Sequence, residues 1–197
     1  MRSLILVAAL PAIAFADTGV YLQEGFGGVA HRGQLSRYSD GDARMTFGLG
    51  VRRDDDVLLV YGSITGGGLF AYDCYGEECR TTATADYGTF GVDFRKRVPL
   101  LYMHRLFSKG TYVNPVLTLE LGGGPRWSWG DFGSGHSSTT SGSGPGLGVN
   151  ATLAANFWVI GYYLEVGADV MHFDLEDGST VRGSAPYMMF GGRIGWL

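Results

Sequence analysis

The chain has 197 residues and a formal net charge of −4; only 17 % of its residues are charged, 13 % are aromatic, and glycine numbers 33. A soluble domain usually carries about 25 % charged residues, so much of this surface is not built for water. No basic patch interleaved with aromatics exists, which argues against nucleic acid as a partner, and beyond the N-terminus no run approaches the ~20 apolar residues of a membrane helix. The remaining way to cross a bilayer is a closed β-barrel.

The N-terminus reads as an export signal. Arg2 supplies the positive start, Leu4 to Ala14 the apolar core, and Ala14-Phe15-Ala16 the small-x-small cleavage site. Residues 1–16 are therefore expected to be removed, leaving 17–197 as one barrel domain. In an exported chain, Cys74 and Cys79 within one polar segment predict a local disulfide stapling a loop.

Eight strand-like segments follow. The first, Val20 to His31, alternates untidily: Glu24 shares its parity with Leu22 and Phe26, and the neighbouring glycines suggest a bulge that would switch the facing. A polar loop, 32–42, leads to the clearest strand. There Met45, Phe47, Leu49 and Val51 share one face, and Arg44, Thr46, Gly48, Gly50 and Arg52 the other. A charged turn at 53–56 precedes the third segment, Val57 to Thr65, which is apolar on both parities.

The fourth segment, Thr84 to Arg95, sets Phe90, Val92 and Phe94 against Tyr87, Thr89, Gly91, Asp93 and Arg95. Residues 96–110 are too long for a tight turn and read as a strand extension, a short amphipathic helix or a solvated connector. Their basic residues, with Arg95, would lie near anionic headgroups. The fifth segment, Thr111 to Trp129, opposes the even residues around Glu120 to the leucines at 117, 119 and 121; Pro115 predicts a bulge or a frayed end. Residues 130–145 form a Gly/Ser/Thr tract, expected to be flexible. The sixth segment centres on 147–154 and the seventh on 162–170, joined by a very short link. Residues 174–183 make a last long loop, and Tyr187 to Leu197 closes the chain.

The long loops fall after odd-numbered segments, and segments of about 10 alternating residues are the mark of bacterial outer-membrane barrels. On this architecture, and on its aromatic-terminated last strand, the chain resembles the small eight-stranded outer-membrane proteins of Gram-negative bacteria, the porin-like or OmpA/OmpX-type barrel domain. The resemblance implies an all-β, eight-stranded antiparallel up-and-down transmembrane barrel with four surface loops, resident in the outer membrane after export to the periplasm. It also implies that Phe190, Ile194 and Trp196 are presented to lipid and to the barrel assembly machinery, and that the barrel is a monomer. The surface loops are where a ligand would bind.

The face opposite the apolar one carries Arg44, Arg52, Asp93, Arg95, Glu120, Glu165, Asp169 and Arg193. Eight strands leave an interior just filled by side chains, so these charges are expected to pair in a lumen network, with glycines making room for the arginines. Aromatics near strand ends, Tyr21, Tyr61, Phe94, Phe157, Trp158, Tyr162 and Trp196, are expected in interfacial girdles. The only catalytic candidates are His136 and Ser138, an H-x-S triplet of the kind found in lipid A deacylases, set in a low-complexity loop. His31 and His172 read as solvated. Glu165 and Asp169 read as salt-bridge partners in preference to a metal pair. No glycine run precedes a helix, so no phosphate cradle and no cofactor is indicated. The expected role is structural or surface-interactive, with a small pore, a lipid A-modifying enzyme and a soluble lipocalin-like barrel as alternatives.

Overall fold

The computed structural model describes residues 18–66, 84–102, 115–133, 139–157 and 159–195. The export signal, the Cys74–Cys79 pair, His104, His136, Ser138, Trp158 and Trp196 lie outside the described residues. The strands are β1 (Thr18–Ala30), the two-residue β2 (Arg32–Gly33), β3 (Gly41–Arg53), β4 (Asp56–Gly66), β5 (Thr84–Tyr102), β6 (Pro115–Gly133), β7 (Thr140–Phe157), β8 (Ile160–Leu175) and β9 (Thr180–Gly195). Each long strand pairs antiparallel with the next, and β9 pairs back onto β1 from Tyr187↔Val29 to Gly195↔Tyr21, so the sheet closes on itself. The barrel wall has eight strands and β2 is a short addition beside β9.

Both ambiguous segments of the sequence acquire a register. The β1–β3 ladder runs from Thr18↔Arg53 to Ala30↔Gly41 without a shift, so the expected bulge is absent and Glu24 shares the outer face with Leu22 and Phe26. In β4, Val57, Leu59, Tyr61, Ser63 and Thr65 are buried, while Leu58 and Ile64 are exposed. The tight link to β4 is made possible by Asp54 at φ 54, a left-handed conformation that Asp tolerates better than most residues.

The strands are longer than the sequence periodicity suggested. Residues 96–102 extend β5 against β6, which excludes a helix there, with register shifts between Pro99 and Tyr102. Pro115 is the first described residue of β6, and the ladder is irregular beside it: Leu101 pairs with Leu117 and Tyr102 with Pro115, passing over Val116, as the proline led one to expect. The Gly/Ser/Thr tract is not a long loop: Gly130 pairs with Gly142, and Trp127 with Pro145. Likewise 174–183 narrows to a four-residue turn, 176–179, between β8 and β9.

The reason for the extra length is an inversion of polarity along single strands. On β8, Tyr162, Leu164, Val166 and Val170 point out, and Tyr163, Glu165 and Asp169 point in. Beyond that level, His172 and Asp174 point out, while Met171, Phe173 and Leu175 are buried. The same exchange occurs on β6 between outward Trp129 and outward Asp131, opposite buried Phe132. Eleven residues from Ile160 to Val170 span about 33 Å of strand. At a tilt of roughly 40° that is about 25 Å of height, the thickness of an outer-membrane apolar band. Below the exchange the barrel has apolar side chains outside and charge inside; above it, the ordinary arrangement of a protein in water.

Candidate functional site

The lumen holds a chain of alternating charges. Arg44 Nη1 donates to Asp169 Oδ2 at 2.6 Å, and Arg126 Nε donates to the other Asp169 oxygen at 3.0 Å. Arg126 Nη1 lies 2.7 Å from Asp93 Oδ1, and Arg95 Nη2 donates to Asp93 Oδ2 at 2.8 Å. Arg95 Nη1 faces Glu165 Oε2 at 2.8 Å and Glu120 Oε2 at 3.7 Å. Glu120 then accepts a bidentate pair from Arg193 at 2.6 and 2.8 Å, and Arg193 Nε donates to Gln23 at 2.9 Å. Four guanidinium groups and four carboxylates thus alternate across β3, β5, β6, β8 and β9, and their charges cancel. β7 contributes neutral groups: Asn150 donates to Asp93 at 2.7 Å, and Thr152 donates to Glu165 at 2.9 Å.

This arrangement follows from period-two alternation. A buried charge is tolerated only when paired and hydrogen-bonded, and inward positions of different strands supply opposite signs at matching heights. Tyrosine faces complete the solvation of the arginines: Arg44 sits 4.6 Å from the Tyr187 ring centroid, Arg126 5.1 Å from Tyr61, and Arg193 4.9 Å from Tyr21. Glycine provides the room. A Cβ at Gly148 would collide with the Arg126 guanidinium and the Asp169 carboxylate, and one at Gly122 would lie 2.6 Å from Arg95 Cγ.

Seven of the eight charges expected in the lumen meet in this chain. Arg52 instead lies at the end of the lumen near the termini, beside Arg97, Val57 and Asn156. Arg126 was missed, although its parity with Glu120 on β6 marks it as inward. Arg95 and Arg97, expected also near headgroups, are buried inside; Lys96 alone of the three points out and pairs with Asp56 at 3.0 Å. Glu165 and Asp169 each face arginine, which leaves no open carboxylate pair for a metal. Tyr21 and Tyr61 belong to the lumen packing and not to a girdle, because their parity turns them inward; Phe94, Phe157 and Tyr162 do face out near the end with the tight turns.

Above the charges the lumen is capped. Leu35, on a short 3-10 turn at Leu35–Arg37, is wholly buried among Val29, Phe132, Phe173 and Val181. Phe132 and Phe173 meet edge-to-face with centroids 4.8 Å apart, and Tyr38 meets Phe132 edge-to-face at 5.3 Å. The loop carrying Leu35 is tied to β9 by Gln34 N donating to Arg182 O at 2.9 Å and Arg182 N donating to Gln34 Oε1 at 2.7 Å. His31 belongs to this cap and is not solvated: its ring lies 3.1 Å from the Tyr87 hydroxyl and 3.4 Å from Asp42. Burial pushes the imidazole below the usual histidine range, against the pull of Asp42, and pushes the Asp42 carboxyl up. His172 lies outside, between Arg182, which donates to its Nδ1 at 2.9 Å, and Asp174 at 2.8 Å from its Nε2. Phe173→Ala should cost about 3–5 kcal/mol through the cavity it leaves in the cap. A urea midpoint within error of the parent would show that the cap packs loosely.

An apolar exterior, an ion-paired interior and closure of β9 on β1 define a closed eight-stranded antiparallel β-barrel with the inverted polarity that suits a membrane. Neither a scan against family models nor a search of curated proteins finds a match. Among solved structures, the chain is similar to Neisserial surface protein A (NspA), with a TM-score of 0.57 and 10 % identity over 89 % of this chain and 96 % of that one. It also matches Ail, the attachment invasion locus protein of Yersinia pestis, at a TM-score of 0.49 and 12 % identity over 91 % of this chain and 97 % of that one. At such identity the first likeness speaks for the fold alone.

Proposed function

We propose that the protein is an integral barrel of the bacterial outer membrane, exported through the signal at 1–16, whose closed wall serves as a scaffold for surface loops in a structural or surface-interaction role. The observation that carries this reading is the pairing of an apolar outer belt with a filled lumen. The cavities among the lumen side chains near Arg95 and near Arg97 are each only about 10 Å³, roughly the room one water needs. Ion pairs block the middle and aromatic packing blocks the loop end, which counts against the small-pore alternative. The partner on the wall is outer-membrane lipid. Phe190 and Ile194 on the outer face of β9, with Trp196 beyond it, would present the last strand to the assembly machinery. The loops after β1, β4, β6 and β8 are the surface available to an external ligand.

Membrane fractionation with gel electrophoresis of boiled and unboiled samples tests the location. The folded barrel should sediment with membranes and shift in mobility on heating; a soluble protein without a shift would refute the proposal. Planar-bilayer recording separates scaffold from pore. The scaffold reading expects no steady conductance, and reproducible unitary steps would overturn it.

A further inference from the structure

Arg97 is a cation left over among the described residues. Its parity turns it into the lumen, where it is only 7 % exposed. The carboxylate opposite it in the β5–β6 ladder is Glu120, but Arg193 takes both Glu120 oxygens, at 2.6 and 2.8 Å, and Arg95 approaches one of them at 3.7 Å. The acids of the adjacent turn, Asp54, Asp55 and Asp56, are exposed, and Asp56 pairs with Lys96 on the outer side. The Arg97 side chain makes no hydrogen bond or salt bridge to a described residue. Only its backbone is tied down, Arg97 N donating to Asp55 O at 2.7 Å. The four guanidinium groups and four carboxylates deeper in the lumen cancel one another, so nothing there offsets a ninth charge, and a buried ion without a counter-charge is costly.

Two more unsatisfied groups share its surroundings. Tyr21, Arg97 and Asn156, from β1, β5 and β7, line one small cavity at the end of the lumen near the termini. Tyr21 is 3 % exposed and Asn156 8 %, and the Tyr21 hydroxyl and Asn156 Oδ1 are buried with no partner among the described residues. A half-turn of the Asn156 amide leaves its shape unchanged and brings the NH2 group to the position of the oxygen. The cavity is then bordered by a hydroxyl, a guanidinium and an amide, each able to donate. Its volume is about 10 Å³, roughly the room of one water-sized particle. Arg52 lines it as well, and its charge repels that of Arg97.

We propose that this cavity is a binding site for one monatomic anion, chloride, held by Arg97, Tyr21 and Asn156. Charge and size select the occupant. The one carboxylate on the lining, Glu120, is engaged by Arg193, so the site offers donors and positive charge and rejects a metal cation. A water molecule would accept hydrogen bonds from the three donors but would leave the charge of Arg97 uncompensated. Sulfate, phosphate and carboxylate groups carry several oxygens and overfill a space of about one water. A monatomic anion accepts from all three donors at once and supplies the missing counter-charge. It also lies on the side of Arg97 that faces the end of the lumen, where it exchanges with solvent without crossing the ion-paired middle. The bound ion thereby extends the alternation of charges to the last inward level of the barrel, and the folded state gains stability from it by mass action.

The test is a chloride titration of the refolded full chain at constant ionic strength, with sodium chloride replacing sodium gluconate. The urea midpoint, followed by tryptophan fluorescence, should rise with chloride along a saturating curve. Arg97→Leu should abolish the rise and, in gluconate alone, should unfold no earlier than the parent, because it removes the uncompensated cation. Lys96→Gln, the outward neighbour, should keep the full response. Tyr21→Phe keeps the ring and removes one donor, and should need severalfold more chloride for half the effect. Crystals soaked in bromide should give an anomalous peak within hydrogen-bonding distance of Arg97, Tyr21 and Asn156. A midpoint indifferent to chloride, an equal rise in the parent and Arg97→Leu, or a cavity without bromide would overturn the proposal.

Discussion

Asp169→Leu should lower the unfolding free energy of the refolded barrel by about 3–5 kcal/mol, the range for breaking a buried ion pair from one side. Among the described residues Asp169 is the only carboxylate that Arg44 touches, and it also holds Arg126 by its second oxygen. Without it, Arg126 keeps Asp93, but among the described residues Arg44 keeps only the Ser63 hydroxyl and the Tyr187 face, at 2 % exposure. The penalty is that of a cation left without a counter-charge, not the loss of the attraction itself. The double variant Asp169→Leu, Arg44→Leu should therefore recover most of the stability, because two apolar side chains can replace a buried pair at little net cost. Urea titration in lipid, followed by tryptophan fluorescence, measures both. An unchanged midpoint in the single variant, or no recovery in the double, would show that the network does not hold the lumen together.

Leu164→Arg should cost about 2–4 kcal/mol, the penalty for arginine at the midplane of a barrel's lipid face. Leu164 is 46 % exposed and sits midway along the outward apolar run of β8. The same substitution at Val170, near the upper edge, should cost about 0–1 kcal/mol. Asp174→Arg, above the belt, should be close to neutral, since the exposed Asp174 carboxylate pairs with His172 at the surface. A graded series places the membrane boundary between Val170 and His172. Equal costs at 164 and 174 would mean that no hydrocarbon surrounds the lower part of the strand.

Much of this molecule could be read from period-two alternation. The facings of β3, β5, β7 and β8 follow directly, because an apolar exterior on one side and a packed polar lumen on the other leave no third environment for a side chain. The lumen charges follow for the same reason, and Arg126 would have been found by carrying the Glu120 parity six residues further along β6. The strand lengths did not follow. Above the apolar belt the inward side chains become apolar and the outward ones polar, so a single alternation rule breaks at Val170 and the remaining strand resembles a loop. The Gly/Ser/Thr tract misled for a related reason: small residues are poor strand formers alone, but Gly130, Gly142 and Ser143 pair within a ladder whose partners supply the order. Tyr21 and Tyr61 were placed in a girdle by residue type, although their parity put them inside beside Arg193 and Arg126. Glu24 suggested a bulge because a carboxyl on the lipid face was the less expected alternative; the continuous ladder makes it a feature of the wall.

The central claim is that the wall of this barrel faces lipid with the residues assigned to its outer face, and that the assignment ends at one level. Single cysteines along β8 from 162 to 174, carrying an environment-sensitive fluorophore and exposed in turn to a lipid-soluble and a water-soluble quencher, test it directly. Lipid quenching should alternate, strong at 162, 164, 166 and 170 and weak at 163, 165 and 169, and at 172 and 174 quenching should pass to the water-soluble agent. Uniform quenching along the strand, or lipid quenching at 165 and 169, would contradict the account.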